Sequence, residues 1–348
     1  FCMTEALTPF GSTRDDPFRT AMTFIQTSKH LMRTNKSSPS LITSGADEAL
    51  PYLVSNTFAF KAKEDGEILE LIPDDYMIIS YNDGTSDYVD LSENVEKNSS
   101  SGFYVILKLD TDLKQGSKIK KGQIVAYDKS SFSDEVGAGK EIAFKPGTLK
   151  KCAIINTAEG YEDSVIVSKE LAEDLSNPVV LKVDKTFSKD TNVYDVVKVG
   201  SEIDEGDSLM IIQQPFDDAD TNTLLRNLTG IDKDEVSDLG RIKIKSKVTG
   251  IVQDIVMYRT VELDELSPSL QKLFKSYEKN IIAKKKKLES LGLPTSDLPA
   301  TYKLPATGKL KDSEEGVKIE FYLRYEDKMS VGDKLIFFSA LKGTVQKV

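Results

Sequence analysis

The sequence predicts a β-rich α+β fold with one long helix. Between residues 61 and 210, short runs rich in Ile, Val and Tyr are interrupted by Gly and Asp, as in strands joined by turns. The pattern Gly-Ser-x-Ile-x-x-Gly begins at Gly116 and again at Gly200, which is typical of a turn reused in small β-barrels. A long apolar repeat at helical spacing occupies residues 267–292.

Composition narrows the classes of function. The chain has 348 residues with one His and two Cys, and its formal net charge is −10. Because imidazole is so scarce, His-rich metal sites and Ser-His-Asp or Cys-His catalysis are close to excluded. The negative charge argues against a free-standing nucleic-acid binder, although it leaves room for a local basic surface within a larger assembly.

The cysteines and the start of the chain lead to further expectations. Cys2 and Cys152 lie far apart and fit no metal or redox spacing, so we expect a reducing cytosol and a buried, hydrophobic Cys152. No apolar run reaches the roughly 18 to 20 residues of a membrane span, and no signal peptide opens the chain. Phe1 is not a natural start, which suggests a piece of a longer protein or a processed product.

Short elements are predicted along the chain. In "DDPFRTAMTFIQTSKHLM", an Asp N-cap and Pro17 precede apolar residues at helical spacing. Strands are predicted in "GEILELIPDDYMIISYNDG", "GFYVILKL", "GQIVAYD" and "DSVIVS". A looser copy of the turn, "MSVGDKLIF", has Met329 and Gly332 in the places of Ile and the second Gly. We predict in each copy a buried anchor, two exposed residues and a Gly with positive φ, followed by a new strand.

The long helix is predicted to begin after Ser267 as its N-cap, with Pro268 in the first turn, and to end at Gly292. We favour packing of its apolar stripe in a core over docking of a partner. We also favour a solvated face over nucleic-acid contact for its basic run, Lys284–Lys287. The residues of the stripe are Leu270, Leu273, Phe274, Tyr277, Ile281, Leu288 and Leu291.

Five charged residues are candidates for a functional site. Glu162 and Asp163 stand directly before an apolar run, where doubled negative charge is costly unless a positive group meets it. Lys334 follows a turn, Lys342 comes eight residues later, and Arg19 follows an Asp pair. Carboxylates suit Mg²⁺ while Lys and Arg neutralise phosphate, so the set predicts a site for phosphate and hard metal ions. Taken alone, the same residues also fit exposed acids at a strand start, ordinary surface lysines and an intrahelical ion pair.

Several segments share the motifs of one protein family, in the same order. From Leu7 to Val348 they are "LTPFGSTRDDPFRTAM", "GYEDSVIVSKEL", "VGSEIDEGDSLM", "SKVTGIVQDIVMYR" and "VGDKLIFFSALKGTVQKV". They resemble segments of the β subunit, the second-largest subunit, of multisubunit DNA-directed RNA polymerases. A composition rich in Lys, Asp and Ser suggests a divergent large-phage (jumbo phage) enzyme. The resemblance extends to phage enzymes whose β and β′ equivalents are split into several chains, which implies a split β subunit here.

The resemblance implies a fold and a domain order. The chain would supply part of a double-psi β-barrel at the polymerase active site, with an inserted flap domain. Residues 1–60 would be a helical and loop segment near the active site, and residues 61–178 would form the barrel. Residues 179–315 would be the flap, with a helical insertion at about 267–292. Residues 316–348 would return to the barrel with the lysine pair.

The resemblance also implies a role for each candidate residue. Glu162 and Asp163 would support, through water, the second Mg²⁺ that arrives with the incoming nucleotide. Lys334 and Lys342 would contact the RNA 3′ end and nucleotide phosphates, and Arg19 would reach the triphosphate. The main catalytic Mg²⁺ would be held by a β′-like partner, so this chain would act as an enzyme only in a complex.

The implied partners are the N-terminal part of β, β′-like chains, and a promoter-specificity factor at the flap. DNA template, RNA transcript and nucleotides would be bound in the assembly, in the cytoplasm of an infected bacterial host. One departure lies between the lysines, where "LIFFSAL" replaces the family's Gly-Arg-His-Gly-type loop and Phe337 and Phe338 are expected to pack. Two alternatives are an inactive polymerase-like scaffold that docks transcription factors and, less favoured, a swinging-arm carrier domain.

Overall fold

The computed structural model describes residues 3–11, 18, 20–23, 25, 34–97, 102, 104–136, 141–156, 160, 163–213, 241–293, 295, 316–337 and 341–348. Within these residues the chain forms twenty strands and four α-helices whose bounds are described, and residues 18, 20–23 and 25, in the segment predicted to be helical, are also helical. The large number of strands confirms the predicted β-rich fold. The chain divides into unit 1, which is Phe1–Val179 with Glu326–Val348, and unit 2, which is Val180–Tyr325. No helix in the described ranges has the length and hydrophobicity that crossing a membrane requires.

Unit 1 holds thirteen strands and three short helices whose bounds are described. The helices are α1 (Met3–Ala6), α2 (Ala46–Leu53) and α3 (Lys169–Asp174). The strands before unit 2 are β1 (Ala59–Lys61), β2 (Gly66–Ile72), β3 (Tyr76–Tyr81), β4 (Ser86–Asp90), β5 (Asn94–Lys97), β6 (Tyr104–Leu107), β7 (Lys118–Ile119), β8 (Ile124–Tyr127), β9 (Phe132–Val136), β10 (Glu141–Phe144) and β11 (Ser164–Ile166). Those after it are β19 (Lys334–Phe337) and β20 (Leu341–Lys347).

The sheets of unit 1 are small. The largest has the order β4-β3-β2-β7, and β1–β8, β5–β6 and β9–β10 form two-stranded pairs. Alternating apolar residues of β2 and β3 point into a core in which Ile68, Met77 and Ile79 are at most 1% exposed. A separate sheet, β11-β20-β19, joins strands that precede and follow unit 2 in sequence.

Unit 2 contains the long helix and two sheets, ordered β12-β18-β17-β14 and β13-β15-β16. The chain enters the unit within β12 and leaves it within β18. The elements are β12 (Asn177–Ser188), β13 (Asn192–Val196), β14 (Glu202–Ile203), β15 (Ser208–Gln213), β16 (Arg241–Lys245), β17 (Gly250–Arg259), a 3₁₀ helix (Leu263–Glu265), α4 (Pro268–Ser290) and β18 (Gly316–Asp327).

Helix α4 follows the sequence prediction closely. The Ser267 hydroxyl accepts a hydrogen bond from the Leu270 amide, Pro268 is the first helical residue, and Gly292 has φ +68° just after the helix. Leu270 and Phe274 are fully buried against the two sheets. The predicted core packing of the apolar stripe is therefore confirmed for these residues.

The predicted turn occurs three times with the same hydrogen bonds. Each turn has four residues. The backbone amide of its fourth residue donates a hydrogen bond to the carbonyl of its first residue, and the amide of the first residue donates to a side-chain oxygen of the fourth. The third residue is Gly, with φ of +78°, +93° and +99°, as this kind of turn requires. The turns are Lys120–Gln123, Asp204–Asp207 and Ser330–Asp333.

A reciprocal pair of backbone hydrogen bonds ties each turn to another segment. The glycine amide donates to the carbonyl of one residue, whose own amide donates back to the carbonyl of the fourth turn residue. The partner residues are Ala62, Ser246 and Val345. The anchors Ile119 and Ile203 are buried, while Met329 is half-buried. The third copy leads directly into β19 and so fixes where Lys334 begins that strand.

The prediction for Cys152 was wrong, because the side chain is exposed. Residues 148–156 form neither helix nor strand, so this cysteine lies in an irregular segment. Its thiol lies 3.7 Å from the Lys150 carbonyl, to which it donates a weak hydrogen bond.

Candidate functional site

The candidate lysines lie in the hairpin β19–β20. In this antiparallel pair Lys334 stands opposite Thr344, and Ile336 stands opposite Lys342. Side chains of opposite residues share a face of the sheet, and residues two apart on one strand do the same. Lys334 and Lys342 therefore project from the same face as diagonal neighbours, with Cα atoms about 7 Å apart.

The other face of this hairpin is apolar. Val345 is fully buried and packs with Val167 and Ala172, and Leu335 packs against this cluster. The alternation along β20 thus sends valine inward and Lys342 outward. Burial of the apolar face holds the two lysines on the accessible face, where Lys334 is exposed and Lys342 is half-buried.

Asp163 joins the same sheet through its backbone. Its carbonyl accepts a 2.8 Å hydrogen bond from the Thr344 amide, and the next residue, Ser164, is the parallel partner of Thr344. Thr344 is in turn opposite Lys334, so Ser164 and Lys334 lie two strand spacings apart, about 10 Å. Asp163 is exposed and has φ +61°, a left-handed conformation that Asp adopts more readily than most residues.

Gly343 allows the close approach of β11 and β20. A Cβ atom on this residue would lie 2.2 Å from Val165 Cγ2 and 3.2 Å from the Asp163 carbonyl oxygen. Any larger residue would have to push β11 away from β20. The position of Asp163 beside the lysine face therefore depends on a glycine that directly follows Lys342.

The charged groups of the site are available for a ligand. Among the residues that the structure describes, neither the Lys334 and Lys342 ammonium groups nor the Asp163 carboxylate forms an ion pair. Two cations on one accessible face, with an exposed carboxylate on a residue whose backbone bonds to β20, suit a ligand that carries several negative charges.

No family model matches this sequence. The chain is 24% identical over 255 residues to the DNA-directed RNA polymerase subunit beta of Caldicellulosiruptor bescii, which covers 65% of the chain and 19% of the relative. The subunit of the same name from Clostridioides difficile is 26% identical over 252 residues, covering 64% of the chain and 19% of the relative. The subunit of the same name from Alkaliphilus metalliredigens is 24% identical over 284 residues, covering 69% of the chain and 21% of the relative.

The chain contains an RNA polymerase β-subunit-like region. The match spans about a fifth of the length of these curated relatives.

The β-subunit-like chain brings three of the five predicted site residues into one sheet of unit 1: Asp163, Lys334 and Lys342. Glu162 and Arg19 lie outside the described residues, so their roles stay predictions. Phe338 also lies outside the described residues, so its packing stays a prediction. Phe337 is half-buried, and its ring lies 3.3 Å from the position that a Cβ atom on Gly343 would occupy.

Within the described ranges, no cluster of three His, Cys, Asp or Glu residues could hold a metal ion. The exposed Asp163 carboxylate does fit a smaller part, as one oxygen ligand among several to a hard cation such as Mg²⁺. The two nearby lysines would disfavour a bare cation and favour one that arrives with phosphate groups.

Sequence reasoning missed an ion cluster that ties three segments of unit 1 together. The buried Asp174 carboxylate forms ion pairs with Lys36 Nζ and Lys150 Nζ, each at 2.6 Å. Hydrogen bonds from Lys150 and Lys36 hold the pKa of the Asp174 carboxyl below its usual value. No local pattern could reveal this cluster, because its members come from segments far apart in the chain.

Proposed function

We propose that this chain is part of the β subunit of a multisubunit DNA-directed RNA polymerase. In this proposal it helps to bind the incoming nucleotide and the RNA 3′ end during Mg²⁺-dependent nucleotidyl transfer. One observation carries the proposal: Lys334 and Lys342 share an accessible sheet face beside Asp163, within a chain similar to the β subunit.

The two lysines would bind phosphate. Each ammonium group is a compact point charge that donates up to three hydrogen bonds. Negative charge spreads over the phosphate oxygens as the phosphoryl group is displaced in line, and fixed cations stabilise that charge. Losing one such contact is expected to cost about 2 to 4 kcal/mol of transition-state stabilisation, or about a hundredfold or more in rate.

Asp163, together with Glu162, would supply oxygen ligands through water to the Mg²⁺ that accompanies the nucleotide. When bound, that ion neutralises phosphate charge and orients the triphosphate. The main catalytic Mg²⁺ is assigned to a β′-like partner. Arg19 is assigned to the triphosphate, because a forked guanidinium suits phosphate oxygens.

The proposal extends to fold and setting. Residues 61–178 and 316–348 would form the double-psi β-barrel portion and residues 179–315 the flap, with other β and β′-like chains completing the active site. A promoter-specificity factor would dock at the flap, and template DNA and transcript would pass through the assembly. We further propose that the chain comes from a jumbo phage, that its β subunit is split into several chains, and that it acts in the cytoplasm of the infected host.

The test is elongation by the assembled complex. The chain would be tagged in its native host or co-expressed with its partners, and the purified assembly would extend a primed RNA–DNA scaffold. Lys334→Ala and Lys342→Ala are expected to slow extension about a hundredfold. Lys114→Ala, an exposed lysine of a turn in unit 1, is the matched control and should extend RNA like the parent.

Normal assembly with parental extension by both lysine variants would contradict the catalytic role. The chain would then be an inactive scaffold and flap module that docks transcription factors.

A further inference from the structure

Helix α4 of unit 2 presents a straight row of lysines on the side opposite its core face. Lys272, Lys275, Lys279 and Lys286 recur at helical spacing and are all exposed. Their positions fall within an arc of about 60° around the helix and span about 21 Å along it. The core residues Leu270 and Phe274 face the other way. We call these four residues the α4 lysine row.

The positive charge of the row is not balanced by ion pairs with described residues. In the described part of the chain, none of its four ammonium groups forms an ion pair. Of the two acids on the helix, Glu278 is buried against Arg259 Nε at 2.9 Å, and Glu289 lies 4.0 Å from Lys285. Like charges three and four residues apart weaken a helix. The concentration of cations thus stands out in a chain whose formal net charge is −10.

We propose that the α4 lysine row binds the phosphate backbone of a nucleic-acid strand. Four point charges aligned along one side of the helix match a linear polyanion, and their binding would release condensed counterions. Beside the row the helix carries the small residues Ser276 and Ala283 and one large apolar side chain, Ile282, which is 48% exposed. Aromatic and Arg anchors, which usually carry the binding energy of protein partners, do not occur in this set, so charge complementarity favours nucleic acid.

This inference concerns unit 2 alone and does not rest on the catalytic role proposed for unit 1. Binding can be measured without nucleotide addition, so either proposal can fail while the other stands.

The experiment measures binding of the full chain, alone and in its purified complex, to a 5′-labelled 20-nucleotide RNA by fluorescence anisotropy between about 50 and 300 mM salt. The test variant replaces all four residues of the row with Gln, which keeps good helix-forming residues. The matched control replaces four exposed lysines elsewhere with Gln: Lys114, Lys118, Lys120 and Lys198. Circular dichroism checks that helix content is unchanged in both variants.

We expect the row variant to lower the slope of log K against log salt by about 3, since each neutralised phosphate of a single strand contributes about 0.7. The control should keep the parental slope. A parallel titration with a 20-base-pair DNA duplex distinguishes single-stranded from duplex backbone. Equal slopes for the row variant and the parent would overturn the proposal, and so would row-dependent binding to polyglutamate without binding to either nucleic acid.

Discussion

The carbonyl oxygen of Asp163 accepts a 2.8 Å hydrogen bond from the amide of Thr344. This bond connects the segment before unit 2 with a strand that follows unit 2. It brings the backbone of an acidic residue next to the strand pair that carries Lys334 and Lys342. The candidate site is therefore assembled by strand pairing between distant segments of the chain.

The first prediction concerns Gly343. Gly343→Ala should destabilise unit 1 by about 1 to 3 kcal/mol, because its Cβ would lie 2.2 Å from Val165 Cγ2. Urea unfolding of the full chain would measure the loss. Gly147→Ala is the matched control, since nothing lies within 4 Å of its Cβ position, and it should change the free energy of unfolding little. Equal effects of the two substitutions would mean that β11 does not press on β20 at this point.

The second prediction separates charge from backbone strain at Asp163. Asn tolerates the left-handed conformation at φ +61°, so Asp163→Asn should keep the stability of the parent. Asp163→Val should lose about 1 to 2 kcal/mol, because a β-branched residue is strained there. Urea unfolding measures the stability of each variant. If the carboxylate acts in nucleotide binding, both variants should slow RNA extension, and parental extension by Asp163→Asn would show that the carboxylate is not used.

The third prediction is a pH dependence at Asp174. Its folded-state pKa is lowered by the hydrogen bonds from Lys150 and Lys36. The carboxylate therefore contributes stability that is present above the unfolded pKa of about 3.9 and is lost as the pH falls through the folded pKa. Asp174→Asn should destabilise the chain at pH 7, and the difference from the parent should shrink as the pH falls below about 4.

Lys36 behaves in the opposite sense, because its pKa is raised by the hydrogen bond to Asp174. Its contribution is present below the unfolded pKa of about 10.4 and is lost as the pH rises through the folded pKa. Chemical unfolding at several pH values measures both effects. Asp112→Asn, which removes an exposed carboxylate paired with Lys129, is the control and should have a smaller effect at pH 7. A pH-independent loss in Asp174→Asn would rule out the ionic origin.

The fourth prediction concerns the buried pair beneath α4. Arg259→Met should cost about 3 to 5 kcal/mol, because it leaves the Glu278 carboxylate buried without its cation. Arg259→Met combined with Glu278→Leu should recover most of that loss, since the uncompensated charge is then gone. The free energy of unfolding in urea decides between these outcomes. A double variant as unstable as the single one would show that packing, and not charge, dominates at this pair.

The sequence by itself determined the local features. Ser267, Pro268 and Gly292 marked the bounds of α4, and the apolar spacing marked its buried face. The turns were predictable because a Gly with positive φ between a strand end and a strand start leaves a distinct local pattern. The two lysines of the site could be identified through resemblance to a family, eight positions apart in sequence.

Only the tertiary structure decided which distant segments meet. The parallel pairing of β11 with β20, and the register that puts Lys334 and Lys342 on one face, arise from hydrogen bonds between strands on either side of unit 2. Thr344 and Gly343 were missed for that reason, although a glycine directly after Lys342 was a usable signal. The exposure of Cys152 and the cluster around Asp174 depend likewise on which segments cover them. A local sequence pattern determines the backbone conformation of a residue and the face on which its side chain lies. The energy of pairing between distant strands determines which residues become its neighbours in space.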